Sequence, residues 1–255
     1  MINTIYIEDE IADHPRTKKL IKRFPSATII SCTRYTEIFN RKSQNFRLQK
    51  KNPALILAKK YKGMVLPTPK HYGIGAKYNY YFSHMLNCIY DCRYCFLQGM
   101  FRSAHYILFV NYEDFIDEIN STLNKHASDN VHFFSGYDCD SLALDSVSNF
   151  ISDFLPFFEN HQNTLIELRT KSTQIKSLLQ RSSISNCIVA FSFTPNEIAK
   201  ALEHKTPSVS KRLEAIIELQ KVGWKIGLRF DPLIYTKTFT KEYNELFDNI
   251  FSKID

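Results

Sequence analysis

Glycine and proline are scarce, at 7 and 9 of 255 residues. That scarcity excludes collagen-like, linker-like and low-complexity chains, and no internal period marks a repeat protein. No apolar run is long enough to span a bilayer. The opening MINTIYIEDE lacks the basic–apolar–small order of a secretion signal. A cytoplasmic protein with no membrane partner is therefore expected. Hydrophobic residues are not lacking: at 44% hydrophobic and 23% charged, the chain can bury a core of its own. The net charge of +7 suits a polyanionic partner, but a Lys-rich composition produces the same excess on an ordinary solvated surface.

Cysteines are few and unevenly placed. Of Cys32, Cys88, Cys92, Cys95, Cys139 and Cys187, three crowd into one short loop. A secreted disulfide framework spreads its cysteines in pairs along a small chain, so the crowding favours a metal site. The loop runs from Asn87 to Phe96 with the spacing C-x3-C-x2-C. Three thiolates this close can wrap one inorganic cluster, each binding one iron. A cubane has a fourth iron, whose open corner can hold a substrate or cofactor. Structural zinc takes four protein ligands, usually as two separated pairs. Only one C-x2-C pair is present, so a zinc site would need His84 as its fourth ligand. Three reduced thiols without metal is the third reading.

Strand-like and helix-like segments alternate along most of the chain. Residues 1–75 read as a small α/β segment, with strands near Ile2–Ile7, Ala27–Ser31 and Ala54–Ala58, a basic helix over Pro15–Phe24, a polar loop over Asn40–Lys51 and a Pro/Gly-marked connection over Gly63–Gly75. Residues 76–255 read as a core of five βα units. Its strands are expected at Tyr78–Phe82, Val131–Ser135, Thr164–Arg169, Cys187–Phe193 and Lys225–Phe230. Helices are expected at Tyr112–His126, Leu142–Phe158, Gln174–Leu179, from Pro195, at Ser208–Val222 and at Lys241–Ser252, with Gly223 ending the fifth. The fold class is therefore α/β with a parallel sheet and right-handed crossovers. Such sheets bind ligands at the C-terminal ends of their strands. The cysteine loop, Ser135–Asp140, Lys171, Ser192 and Asp231 all fall there.

The cysteine spacing, with an aromatic before the last cysteine and after the first strand of a βα series, resembles the radical S-adenosylmethionine superfamily. The run Cys92-Arg93-Tyr94-Cys95-Phe96-Leu97-Gln98 is similar to the cluster motif C-x-Y-C-Y-L-Q of the spore photoproduct lyase family. Glu203 through Ala215 is similar to that family's L-E-x-x-(T/A)-P-S-x-x-x-R-(L/I)-E-A segment. Tyr6-Ile7-Glu8 and the run Asp140–Asp145 also fit, and the similarity covers nearly the whole chain in order.

The resemblance implies a partial parallel (β/α) barrel of the radical S-adenosylmethionine type. It implies a 4Fe–4S cluster that delivers one electron to S-adenosylmethionine, giving a 5′-deoxyadenosyl radical. In the family this radical removes hydrogen from the methylene-bridged thymine dimer of UV-damaged DNA. Carried over, Cys88, Cys92 and Cys95 would ligate the cluster. Lys171 and Ser192 would contact the methionine part of S-adenosylmethionine, the lysine through the carboxylate. Asp138, Cys139, Asp140 or a carbonyl near Gly136 would accept its amino group, with Asp140 the chosen candidate. DNA and an electron donor such as a flavodoxin or ferredoxin are the implied partners.

Two departures qualify the resemblance. The family's hydrogen-donating cysteine falls on Tyr137, and its assisting tyrosine falls on Phe96. Cys139, two residues on, would sit on the same side of an extended segment and could donate hydrogen in its place, with Tyr94 in a relay. An incidental buried thiol is the equal alternative. The chain also stops after the fifth strand and its helix, where the superfamily has six βα units and the lyases continue. A barrel incomplete at the C-terminus, with an exposed sheet edge, is therefore expected. The alternatives are a radical enzyme acting on another nucleic-acid or small substrate, and a truncated, catalytically inert iron–sulfur protein.

Overall fold

The computed structural model describes residues 2–254. In chain order its strands are β1 (Thr4–Glu8), β2 (Thr28–Cys32), β3 (Leu55–Ala58), β4 (Leu66–Pro67), β5 (Tyr78–Phe82), β6 (Met85–Leu86), β7 (Asp91–Cys92), β8 (Tyr106–Phe109), β9 (Val131–Ser135), β10 (Thr164–Thr170), β11 (Cys187–Ser192), β12 (Glu203–His204) and β13 (Lys225–Arg229). In the larger sheet β5, β9, β10, β11 and β13 are parallel and lie side by side in chain order. That is the arrangement successive βα units produce. β4 runs antiparallel along the β5 edge and β13 forms the other edge, so the sheet is open. The expected partial barrel of five parallel strands is the fold observed.

The second sheet has the order β2-β1-β3-β8-β6. It takes β6 and β8 from beyond residue 75, while β4, from before it, joins the larger sheet. The division expected at residue 75 therefore does not follow the sheets. Tyr106–Phe109, which was not anticipated as a strand, pairs with the wholly buried Leu55–Ala58. One apolar run finds another whatever their distance along the chain. The cysteine loop lies between β6 and β8, which pair with each other at the edge of this second sheet.

Strand alternation divides the larger sheet into two faces. On β9, Phe133 packs outward against Phe158, at 6.1 Å between ring centroids, beneath the helix Phe150–Glu159. His132 and Phe134 therefore face the barrel interior. Phe154 of the same helix meets Phe82 at 5.4 Å and Tyr112 at 4.7 Å. Tyr112 begins the helix Tyr112–Lys125, whose buried side chains Tyr112, Phe115, Ile119 and Thr122 recur at helical spacing. These contacts join the core of both sheets.

The helix expected over Leu142–Phe158 is two helices, Asp145–Ser148 and Phe150–Glu159. Asn149 between them is left-handed, with φ 53°. The Asp145 carboxylate then accepts from the Ile151 amide at 2.8 Å, capping the second helix. Pro195 stands at the N-cap of Asn196–Leu202 rather than inside its first turn. A short helix, Phe46–Gln49, interrupts the expected loop and is capped by Asn45. Among the described residues no helix is long and apolar enough to cross a membrane.

Candidate active site

The cysteine loop is held from both sides. Asn87 enters it with φ 68° and donates from Nδ2 to the carbonyls of Ser103, at 2.7 Å, and His105, at 2.8 Å. Cys92 lies opposite Glu203 in a two-residue antiparallel ladder between β7 and β12. The Arg93 amide donates to the Leu202 carbonyl at 2.8 Å, extending that ladder. On the other flank Lys50 pairs with Asp91 and donates to the Gln98 side-chain Oε1 at 2.7 Å.

Behind the loop stands a buried polar hub. Glu203 accepts from the hydroxyls of Tyr94 and Thr194 and pairs with Arg212. Arg212, fully buried, also donates to the carbonyls of Pro207 at 3.0 Å and Ser192 at 2.9 Å, and to the Thr206 hydroxyl at 2.9 Å. Burial alone would raise the Glu203 carboxyl, but Arg212, Lys171 and Tyr94 hold it below the usual range. One carboxylate thus ties β7, the end of β11 and the helix Val209–Lys221 together.

A cavity of about 490 Å³ opens at the C-terminal ends of the parallel strands. That is the size of a small-molecule site, roughly 300–1,000 Å³. Cys88, Cys92 and Cys95 line it together with Tyr94, Cys139, Asp140, Lys171, Ser192 and Asp231. The three loop cysteines, Tyr94, Cys139, Asp140, Lys171 and Ser192 thus share one cavity, whereas Asp138 and His84, also weighed from the sequence, do not line it. Gly136 makes the turn from β9 into this cavity at φ 81°. A Cβ there would lie 2.5 Å from the Ser141 hydroxyl and 3.0 Å from the Arg169 carbonyl, so only glycine fits.

The local bonding distinguishes the candidates. Asp140 Oδ1 accepts from the amides of Leu142 and Ala143 and from the Thr170 hydroxyl, and Oδ2 accepts from the Lys171 amide at 2.7 Å. Burial raises its pKa against these donors. Its bonds staple the loop after β9 to the end of β10, leaving little acceptor capacity for a ligand. The Lys171 ammonium stands 3.8 Å from Glu203 and 5.6 Å above the Tyr94 ring. The Cys139 thiol is buried in the cavity wall, and burial pushes its pKa well up. It stays protonated at neutral pH. Phe96 is exposed at the rim, 5.7 Å from Tyr137, which in turn packs on Tyr81 at 4.4 Å.

The donor set fits an iron–sulfur cluster. All three loop cysteines are free thiols on the same cavity. Burial pushes Cys88 up and Cys92 to about 11, so both are thiols until a metal displaces their protons. Among the described residues no three His, Cys, Asp or Glu side chains converge on a single ion position. A lone zinc would hold its thiolates at about 2.3 Å and hence close to one another; a cluster spreads them over separate irons. His84, the remaining ligand of the zinc reading, lies outside the cavity. It is buried and stacked on Phe150 at 3.9 Å.

The family model for spore photoproduct lyase matches residues 1–255. The chain belongs to the spore photoproduct lyase family. It is by descent a radical S-adenosylmethionine lyase. Spore photoproduct lyase of Bacillus subtilis (strain 168) is 22% identical over 251 residues, covering 96% of this chain and 72% of that protein. The Clostridium acetobutylicum protein of the same name is 23% identical over 177 residues, 69% of this chain and 53% of that protein. A solved spore photoproduct lyase double mutant, with bound AdoMet and dinucleoside spore photoproduct, superposes with a TM-score of 0.89 at 19% identity. It covers 99% of this chain and 74% of that one. At such identity the likeness carries the fold alone, a partial parallel barrel.

Against this spore photoproduct lyase background, sequence reasoning missed Glu203 as a hub and Arg169 as a cavity residue. Glu203 was visible only as part of a family segment. Arg169 follows Glu167 at strand spacing on β10, and that period-two pair of charges was the available signal.

Proposed function

We propose that this chain uses a 4Fe–4S cluster and S-adenosylmethionine to reverse a methylene-bridged thymine dimer in DNA by carbon–carbon bond scission. What carries the reading is the convergence of Cys88, Cys92, Cys95, Cys139, Lys171 and Ser192 from separate elements onto one cavity. The cluster, when bound, supplies the electron that cleaves S-adenosylmethionine to a 5′-deoxyadenosyl radical. Cys88, Cys92 and Cys95 hold it. Lys171 and Ser192 face the methionine part of S-adenosylmethionine, with Glu203 fixing the lysine's position. Cys139, kept as a thiol by burial, would donate a hydrogen atom to the opened substrate, and the thiyl radical left on it would take hydrogen back from 5′-deoxyadenosine with Tyr94, beside the cluster loop, as the relay. The walls of the cavity keep water from the radical. DNA is the macromolecular partner, a flavodoxin or ferredoxin the reductant, and the cytoplasm the compartment.

A second reading, a radical enzyme acting on a different nucleic-acid substrate, is favoured by Tyr137 and Phe96, which stand where the family has its cysteine and tyrosine. Anaerobic reconstitution with iron and sulfide, followed by reduction with dithionite, decides. The proposal expects 5′-deoxyadenosine from S-adenosylmethionine and two thymines from a synthetic bridged dimer. Cofactor cleavage with an untouched dimer selects the second reading. No cleavage at all overturns both.

A further inference from the structure

Inside the barrel a single carboxylate serves two guanidiniums. Glu167 accepts from Arg229 through both oxygens, at 2.6 Å each, and from Arg169 Nε at 2.9 Å. His132 lies 3.9 Å from the same carboxylate, but burial lowers its pKa and it carries no charge at neutral pH. The group therefore holds two positive charges and one negative. A half-buried excess charge of this kind is costly unless a counter-ion meets it.

The excess faces the cavity. Arg169 is packed over the Phe134 ring at 4.4 Å, which together with the Glu167 bond fixes the plane of its guanidinium. Arg169 lines the cavity. Its Nη groups meet no acceptor among the described residues, and they are not sealed from solvent. Asp231 acts on Arg169 through space but lies beyond the 4.0 Å of an ion pair. The neighbouring cation, Lys171, already has Glu203. Beside Arg169, at the mouth, stand the aromatic rings of Tyr137, Phe96 and Tyr72. A fixed guanidinium with a free edge suits a phosphate oxygen pair, and aromatic rings suit bases.

We propose that Arg169 binds the phosphodiester joining the two nucleotides of the substrate, while Tyr72, Phe96 and Tyr137 stack on its bases. This rests on the reading of a dinucleotide lesion as substrate. It adds that the backbone anion is read inside the cavity, and not only along an outer DNA track.

Two synthetic thymine dinucleotides test it, one with the natural phosphodiester and one with a neutral methylphosphonate of the same shape. Their equilibrium binding to the reconstituted protein is measured with and without S-adenosylmethionine. The wild type is expected to prefer the charged linkage by about tenfold or more. Arg169→Gln abolishes the preference, Arg169→Lys restores part of it, and neither changes affinity for S-adenosylmethionine. A wild type that binds both linkages equally overturns the proposal without any variant. So does a preference that survives in Arg169→Gln. Weakened S-adenosylmethionine binding in Arg169→Gln, with the linkage preference intact, overturns it in favour of the methionine carboxylate as the anion. Equal binding with continued dimer turnover removes this inference alone, whereas binding of neither dinucleotide by a protein that still cleaves S-adenosylmethionine removes the substrate reading with it.

Discussion

The ammonium of Lys171 stands 3.8 Å from the carboxylate of Glu203, and the backbone of Glu203 lies across a ladder from Cys92. The lysine expected to meet the cofactor and the cysteine expected to hold iron are thus positioned by one residue. Glu203→Gln keeps the shape and removes the charge. It leaves the fully buried Arg212 without its counter-ion, a change of about 3–5 kcal/mol in stability. Urea unfolding measures this. The double variant Glu203→Gln/Arg212→Met is expected to recover part of the loss, because the stranded charge is then gone.

Single Cys88→Ala, Cys92→Ala and Cys95→Ala variants should each lower bound iron and sulfide and bleach the visible absorption, with far-ultraviolet dichroism unchanged. His84→Phe should leave iron content intact, since His84 stacks on Phe150 away from the cavity. Loss of metal in the His84 variant would restore the zinc reading.

The same histidine sets an acid limit on stability. Burial lowers its pKa from 6.5 to about 3, and the Lys60 charge adds to this. The unfolded chain therefore binds a proton that the folded chain refuses. Stability is fully present above the unfolded value and falls as pH drops below 6.5 toward 3. Unfolding free energies measured at successive pH values should show this slope in the wild type and a shallower one in His84→Phe.

Hydrogen return separates two neighbours. Cys139→Ala should abolish conversion of the bridged dimer while leaving cleavage of S-adenosylmethionine in place. Tyr137→Phe should retain both, because its hydroxyl is not the proposed donor. Product analysis for thymine and 5′-deoxyadenosine reads the two outcomes. A Cys139→Ala protein with full dimer turnover would assign the donor elsewhere.

The parallel core was legible because its strands are short apolar runs bounded by polar loops. Tyr78–Phe82 and Val131–Ser135 lie where the pattern put them. The second sheet was not legible as a whole. Its register depends on Tyr106–Phe109 meeting Leu55–Ala58, a pairing that no local pattern announces. Asn149 broke a continuous helical pattern through its left-handed backbone, which side-chain periodicity does not record. At the site, the cysteine spacing pointed to the three proposed cluster ligands, whereas the bonds that occupy Asp140 come from amides whose positions only the folded chain reveals.

The ladder between β7 and β12 also imposes an order in time. Tyr94 and its partner Glu203 are 109 residues apart. On the ribosome the three thiols emerge long before the segment that closes over them. Until that segment is made, the loop has neither its partner strand nor the carboxylate that accepts from Tyr94.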